Sequence, residues 1–88
     1  MRCPPLSEGA VVRRDTFGPQ HRAVIAKIVE HRRAVGMSQV DLAQALGTDQ
    51  SQISKIERGE RRLDVIDYLR ICRAIGVDPA EALRAVRF

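Results

Sequence analysis

Three copies of one four-residue unit do most to limit how this chain can fold. In each unit an apolar residue is followed by Gly, any residue, and then Ser or Asp. Glycine readily adopts the left-handed conformation that ends a helix. A Ser or Asp two residues later can cap the next helix, because its side chain accepts hydrogen bonds from free backbone N–H groups. Each unit therefore predicts the end of one helix and the start of another. The copies are Val35–Ser38, Leu46–Asp49 and Ile75–Asp78.

Further residues that end or begin helices extend the pattern to five helices. Gly59 ends a helix, Asp64 can cap the one after it, and Pro79 stands at a first helical position, where proline fits best. Strand-like alternation of Val, Ile and Thr is missing, so a sheet is not expected. We predict an all-α fold with helices at residues 19–35, 39–46, 50–58, 65–75 and 79–86.

Apolar residues recur within each predicted helix at the spacing of one face, and we expect them to form the core. With no Trp, one Tyr and two Phe in 88 residues, this core must be mainly aliphatic. Cys72 is interpreted as a small core residue rather than a reactive thiol. The predicted core residues are, helix by helix, Val24, Ile25, Ile28, Val29 and Val35; Leu42, Ala43 and Leu46; Ile53 and Ile56; Val65, Ile66, Leu69, Cys72 and Ile75; Leu83 and Val86.

The first 17 residues differ from the rest, because they hold Pro4, Pro5 and Gly9 and show no helical period. We interpret residues 1–17 as a flexible N-terminal arm and residues 18–88 as one domain. Within the arm, residues 11–14 could form a short strand, a partner-binding segment or a basic segment that contacts nucleic acid.

The charge of the chain favours anionic partners. The formal net charge is +4, and thirteen of the fifteen basic residues are Arg, whose guanidinium group suits phosphate and guanine edges. Cys3 and Cys72 lack the spacing of zinc ligands, and no secretory signal or membrane-length apolar run is visible. We expect a cytoplasmic protein with reduced thiols, without a metal or cofactor and without a membrane partner.

The second and third predicted helices are short and are joined by a tight turn at residues 47–49. Two short helices with such a turn must cross steeply. Ala43 lies where their backbones would be closest, and Ile53 and Ile56 would anchor the third helix to the core. This is the spacing of a helix-turn-helix motif.

Residues 38–59, SQVDLAQALGTDQSQISKIERG, resemble the phage repressor/Cro family, also called the XRE family. Residues 70–78 resemble the fourth helix of that family and the cap that follows it, and the similarity covers roughly residues 20–86. The resemblance implies a five-helix, repressor-like helix-turn-helix domain that binds double-stranded DNA. It also implies a bacterial or phage origin.

The third helix has an outward face that geometry locates. At 100° per residue, inward-pointing Ile53 and Ile56 leave Ser51 and Lys55 pointing away from the core. Gln can pair with adenine and Lys with guanine in the major groove. The resemblance places base reading on this face, although ordinary solvated polar residues would show the same pattern. The predicted base-reading residues are Gln50, Ser51, Gln52 and Lys55.

Phosphate contacts are expected beside this face. Gln39 begins the second helix, where free N–H groups and the helix dipole favour an anion, and the resemblance implies that a Gln here holds the DNA backbone. Arg58, Arg61 and Arg62 lie in the next loop and could contact the same strand. The alternative for the three arginines is a solvated loop in which Glu60 is a local partner.

Two acidic residues near the reading face receive other roles. Asp49 is assigned to capping the third helix. The resemblance places an Arg of the first helix against Glu57, which implies a structural, non-catalytic ion pair between Arg32 and Glu57. His21 and His31 have no ligand-spaced partners and are expected at the surface or at helix caps. With no catalytic motif in the sequence, the chain is not expected to be an enzyme.

One recognition helix contacts too few base pairs for useful specificity, so such proteins usually dimerise on two half-sites. We therefore expect a transcriptional regulator, a dimeric repressor that reads a palindromic operator. Leu83, Val86 and Phe88 could form a two-fold interface, to which Val11, Val12 and Phe17 of the arm could contribute. The alternative is an antitoxin or another protein-interaction module on the same fold, with residues 1–17 binding the partner.

Overall fold

The computed structural model describes residues 17–88, which form five α-helices. The predicted all-α, five-helix architecture is confirmed, and every helix begins at the predicted residue. Three helices end one or two residues earlier than predicted. The predicted N-terminal arm, apart from Phe17, lies outside the described residues. The helices are α1 Pro19–Ala34, α2 Gln39–Leu46, α3 Gln50–Glu57, α4 Val65–Ile75 and α5 Pro79–Arg84.

The repeated units end and begin helices as predicted. Gly47 and Gly76 adopt left-handed conformations, with φ of 73° and 89°, at the ends of α2 and α4. The Ser38 side chain caps α2 in a reciprocal capping box with Asp41. Asp49 caps α3 by accepting from the Gln52 backbone N–H. Asp64 and Asp78 cap α4 and α5 in the same way.

The core lies where α2 and α4 meet, and α1, α3 and α5 close it. α2 packs against α3 and α4, while α1 contacts α3, α4 and α5. Leu42 and Cys72 are completely buried, which confirms that Cys72 is a core residue. The main apolar cluster consists of Ile28, Leu42, Ala43, Ile53, Tyr68, Ile71, Cys72, Ile75 and Ala82.

The predicted inner face of α4 was partly wrong. Val65, Ile66 and Leu69 are 70%, 64% and 44% exposed, whereas Tyr68 and Ile71 are buried. The reason is that α4 carries apolar residues on two faces, and packing against α2 selects the face that holds Tyr68 and Ile71. The Tyr68 hydroxyl donates a hydrogen bond to the Pro79 carbonyl, which satisfies its polar end inside the core.

Two other helix ends also depart from the predicted core. Val35 is 57% exposed, because α1 ends at Ala34 and Val35 lies beyond the last packed turn. In α5 the buried residue is Ala82, and Leu83 is half-buried. Val86 is buried as predicted.

Among residues 17–88, the structure contains no helix long and apolar enough to cross a membrane.

Candidate nucleic-acid interface

α2, the turn and α3 form one packed unit with a polar side. Ala43, Ile53 and Ile56 are at most 3% exposed, so α3 is seated firmly against the core. The Thr48 N–H donates to the Ala43 carbonyl at 2.9 Å and closes the turn between the helices. The structure leaves three of the four predicted base-reading side chains exposed and the fourth half-buried. They are Gln50, Ser51 and Lys55, exposed, and Gln52, half-buried.

The structure brings Arg32 and Glu57 together in a buried, two-pronged ion pair. Arg32 Nε donates to Glu57 Oε2 at 2.7 Å, and Nη2 donates to Oε1 at 3.0 Å. Both side chains are only 7% exposed. Arg32 Nη1 also donates to the Met37 carbonyl at 2.7 Å, so the guanidinium ties the end of α1 to the start of α2 as well.

Gln39 and Gln50 extend this ion pair to the tip of α3. Gln39 Nε2 donates to Glu57 Oε1 at 2.8 Å, and Gln50 Nε2 donates to Gln39 Oε1 at 2.6 Å. An ionised carboxylate can only accept hydrogen bonds, so Gln39 must turn its nitrogen to Glu57 and its oxygen to Gln50. The Gln50 amide therefore keeps its oxygen and one N–H for a ligand.

The contact between Gln39 and Gln50 was not predicted from the sequence, which indicated a phosphate contact for Gln39 and a base contact for Gln50. Their hydrogen bond depends on how α2 and α3 cross, and no local sequence pattern reports that crossing. It joins the two kinds of predicted contact in one hydrogen-bonded unit.

Asp49 and Ser51 form a second polar pair at the start of α3. The Ser51 hydroxyl donates to Asp49 Oδ1 at 2.7 Å, and the Gln52 backbone N–H donates to the same oxygen at 3.1 Å. The hydrogen bond from Ser51, followed by that from Gln52, holds the pKa of the Asp49 carboxyl below its usual value. The side chain is therefore an anion at neutral pH.

The three predicted phosphate-binding arginines each have a partner within the protein. Arg58 donates to both Glu60 carboxylate oxygens, at 3.0 and 3.2 Å, and to Ser54 Oγ at 2.7 Å. Arg61 lies 3.6 Å from the Asp67 carboxylate. The Arg62 guanidinium carbon lies 5.9 Å from the centre of the Phe17 ring. All three arginines are exposed and lie in the loop after α3.

His21 connects α1 to the loop after α3. It was expected at the surface or at a helix cap, and the structure corrects that expectation. It is half-buried, and its Nε2 accepts a hydrogen bond from the Leu63 backbone N–H at 3.0 Å. Its ring also meets Phe17 edge to face at 5.1 Å. Burial, and secondarily the charge of Arg62, lower the pKa of His21. Because the two contacting residues are 42 positions apart, no local pattern pointed to this bond.

Arg70 is another positioning residue, and no sequence pattern pointed to it. Its Nη2 donates to the Leu46 carbonyl at 2.7 Å. Leu46 is the last residue of α2, where helix carbonyls lack partners within the helix. Arg70 therefore ties the helix-turn-helix unit to α4.

A different part of the domain surface carries an open apolar groove of about 550 Å³ between α1, α4 and α5. Phe88 at its rim is 79% exposed. None of the groove residues belongs to α2 or α3, so the groove and the polar face are separate surfaces. Its apolar lining includes Val24, Leu63, Val65, Leu69, Leu83 and Phe88.

Residues 17–88 contain no group of three or more His, Cys, Asp or Glu side chains that could hold a metal ion.

This fold and this polar face define a class of protein. A helix-turn-helix family model matches residues 28–81, more than half of the chain. A solved XRE-family-like protein from Pseudomonas syringae pv. tomato is 44% identical, with a TM-score of 0.71 over 75% of this chain and 80% of that one. The chain therefore belongs to the XRE-type helix-turn-helix family of DNA-binding transcriptional regulators. The five-helix fold and the resemblance predicted from the sequence are confirmed.

Two other solved proteins share the fold. The restriction-modification controller protein C.AhdI from Aeromonas hydrophila is 32% identical, with a TM-score of 0.62 over 67% of this chain and 86% of that one. The clp gene regulator ClgR from C. glutamicum is 24% identical, with a TM-score of 0.70 over 75% of this chain and 86% of that one. No curated protein shows a significant sequence match to this chain.

Proposed function

We propose that this protein is a dimeric transcriptional repressor that reads a palindromic operator in double-stranded DNA. The observation that carries the proposal is the hydrogen-bonded row from Arg32 through Glu57 and Gln39 to Gln50. It holds a base-reading side chain in place at the exposed tip of α3 before DNA arrives. Little side-chain freedom is then lost on binding, which favours tight and selective contact.

The exposed face of α3 is proposed to enter the major groove. Gln50 keeps one donor and one acceptor, the pair needed for two hydrogen bonds to adenine. Lys55 can donate to guanine O6 and N7 one turn further along. Ser51 and Gln52 complete the proposed base-reading set. The Arg32–Glu57 pair has a structural role here, because it orients Gln39 without touching DNA.

Phosphate contacts are proposed for Gln39 at the start of α2 and for Arg58, Arg61 and Arg62 in the loop after α3. Because Gln39 also bonds to Gln50, a phosphate contact at Gln39 would fix the position of the Gln50 amide relative to the base pairs. Such contacts supply affinity and orientation but no sequence information.

A second copy of the chain is proposed to cover the apolar groove. Exposed Val65, Leu69 and Phe88 border one continuous depression, and clustered apolar surface on a small protein marks an interaction site. Val86, expected at this interface, is buried in its own domain, so Leu83 and Phe88 are the α5-end residues that remain available. Two copies joined here would read two half-sites.

The named neighbours support a regulatory role. One is a regulator of clp genes and another is a restriction-modification controller. Both are regulators, which fits the expectation that this chain is not an enzyme. A cytoplasmic site of action follows from the same proposal, since its target is DNA. We also propose that residues 1–17 form an N-terminal arm that could bind a protein partner, and that residues 18–88 form the domain.

The test is selection of bound duplexes from a random pool, followed by affinity measurement across a salt series. The expected result is a palindromic site, with log affinity falling by about 0.9 per phosphate contacted for each unit of log salt. The double variant Gln50→Ala/Lys55→Ala should lose sequence preference and keep its helical content. A matched control, Gln44→Ala/Lys27→Ala, removes the same residue types elsewhere and should keep the preference. A protein that enriches no sequence would contradict the proposal and favour the interaction-module alternative.

A further inference from the structure

We propose that Asp49 reads DNA together with Ser51, and that this pair selects an exocyclic amino group, with cytosine N4 preferred, at the base pair facing the start of α3. This inference rests on the proposed function, because it requires α3 to lie in the major groove. It adds Asp49, otherwise a helix cap, to the residues that determine specificity.

The geometry uses the only side-chain donor of the Asp49–Ser51 pair within the pair itself. A serine hydroxyl has a single proton, and Ser51 donates its proton to Asp49 Oδ1 at 2.7 Å. What Ser51 then presents outward is lone pairs. Both side chains are exposed at the N-terminal end of α3, the end proposed to approach the bases.

The Asp49 carboxylate keeps acceptor capacity for a further donor. Asp49 Oδ1 accepts from Ser51 Oγ and from the Gln52 backbone N–H, and the Ser51 backbone N–H also stabilises the carboxylate. Because the two oxygens of a carboxylate together offer about four acceptor sites, the side chain can accept from a further donor. The hydrogen bonds that lower the pKa of Asp49 keep it ionised at neutral pH, so the side chains of the Asp49–Ser51 pair present acceptors with a negative charge.

The edges of the four bases in the major groove decide which one fits this set. Guanine presents two acceptors, and thymine presents an acceptor and a methyl group, so neither offers the donor that a carboxylate requires. Adenine offers its N6 amino group but places the N7 acceptor beside it. Cytosine offers its N4 amino group alone, and Asp is among the residues that accept from it. Cytosine is therefore the preferred base.

The exposed face of α3 thus presents hydrogen-bond donors at one place and acceptors at another. Lys55 can only donate, whereas the Asp49–Ser51 pair can only accept, and Gln50 does both. A half-site that matches this face carries an amino group at the α3 tip and acceptors opposite Lys55.

The Asp49 carboxylate also lowers the affinity for DNA in general, and this effect can be measured. A negative charge close to the phosphate backbone weakens binding to every duplex, whatever its sequence. If Asp49 served the helix cap alone, Asn would replace it without changing base preference, because Asn and Asp cap helices equally well. The Asp49→Asn variant therefore separates capping from reading.

The experiment measures the affinities of the wild-type protein and of Asp49→Asn for the selected operator and for its single-base variants at every half-site position. For Asp49→Asn we expect preference for cytosine to fall by about tenfold at one base pair of each half-site, and to hold at the others. Affinity for unrelated duplexes should rise in the same variant. Ser51→Ala should weaken preference at the same base pair by a smaller factor, because the carboxylate remains.

Asp78→Asn is the matched control, since it makes the same charge change at the N-cap of α5, away from α3. It should leave base preference unchanged. Circular dichroism establishes that each variant keeps its helices. The inference is overturned if Asp49→Asn selects the same bases with the same preference as the wild-type protein, or if the base pair whose preference changes is an A·T or T·A pair. If the wild-type protein selects no sequence at all, the proposed function fails, and this inference fails with it.

Discussion

The two sides of this small domain differ in how their exposed residues are prepared for a partner. On the side of α2 and α3, polar side chains bond to one another, from the buried Arg32–Glu57 pair out to Gln50. On the side of α1, α4 and α5, an open groove is lined by apolar side chains. A pre-ordered polar face suits a hydrated, charged surface such as DNA, whereas an apolar depression suits another protein surface. The two sides therefore suit different partners, DNA on the polar side and a protein surface on the apolar side.

The largest effect is expected at the ion pair that supports the polar side. Glu57→Ala would leave the Arg32 guanidinium, which is 7% exposed on its side chain, without its carboxylate. We expect a loss of about 3–5 kcal/mol in the free energy of unfolding, because a buried charge without a partner is strongly destabilising. Urea denaturation followed by circular dichroism measures it. Arg32→Leu/Glu57→Leu should lose less than either single variant, and a loss equal to the sum of both would contradict this account.

The next effect concerns the apolar side. Leu69→Glu places a charge in the groove, and we expect the dimer dissociation constant to rise by at least about tenfold, or about 1.4 kcal/mol. The free energy of unfolding should change little, because Leu69 is 44% exposed in the single chain. Sedimentation equilibrium measures the dissociation constant. The control is Val40→Glu, at a 49% exposed position on α2 outside the groove. Equal weakening by both variants would place the dimer interface elsewhere.

The same contrast between the two sides explains what the sequence could predict. Helix starts and ends depend on a few adjacent residues, so the Gly and Ser or Asp positions located them well. The outward face of α3 followed from two isoleucines, because the rest of α3 is polar. The buried face of α4 could not be predicted, because Val65 and Leu69 on one face and Tyr68 and Ile71 on another were both apolar candidates. That choice depends on long-range packing.

Long-range contacts within the polar side were also beyond local patterns. The Gln39–Gln50 bond spans two helices, and the His21–Leu63 bond joins α1 to a loop 42 residues later. Each depends on a helix crossing that only the folded chain defines. The resemblance to the XRE family supplied the Arg32–Glu57 pair, which no spacing rule would have identified.

A smaller effect is expected when the row of side chains on the polar side is interrupted in its middle. Gln39→Ala removes the acceptor that holds Gln50 Nε2 at 2.6 Å. We expect operator affinity to fall by about 1 kcal/mol, the usual net contribution of one hydrogen bond. Helical content should be retained. Titration of a labelled operator measures the affinity, with Gln44→Ala as the control.

A double-mutant cycle determines whether Gln39 acts through Gln50. If the two side chains work as one unit, Gln39→Ala/Gln50→Ala should cost less than the sum of the single losses. Additive losses would show that Gln39 contributes by its phosphate contact alone, and the polar side would then be less pre-ordered than its geometry indicates.

The smallest effect on stability is expected at His21. This residue connects α1, on the groove side of the domain, to the loop after α3 that carries Arg58, Arg61 and Arg62. The bond from the Leu63 N–H requires a neutral His21 nitrogen as acceptor, and burial and Arg62 lower the pKa of His21 below 6.5. Below pH 6.5 the unfolded chain therefore binds a proton more readily than the folded one. The stability that His21 contributes is fully present above pH 6.5 and is lost as the pH falls from there through the lowered folded pKa.

The free energy of unfolding of the wild-type protein and of His21→Leu, measured by urea denaturation between pH 5 and pH 8, tests this linkage. The stability advantage of the wild-type protein should be constant above pH 6.5 and shrink below it. Asp41, Asp49 and Glu30 have pKa values lowered from 3.8, 3.8 and 4.5, so their effects fall at more acidic pH and do not overlap this window. An advantage that stays constant down to pH 5 would mean that the His21–Leu63 bond does not hold the loop, and that the two sides of the domain are not joined through His21.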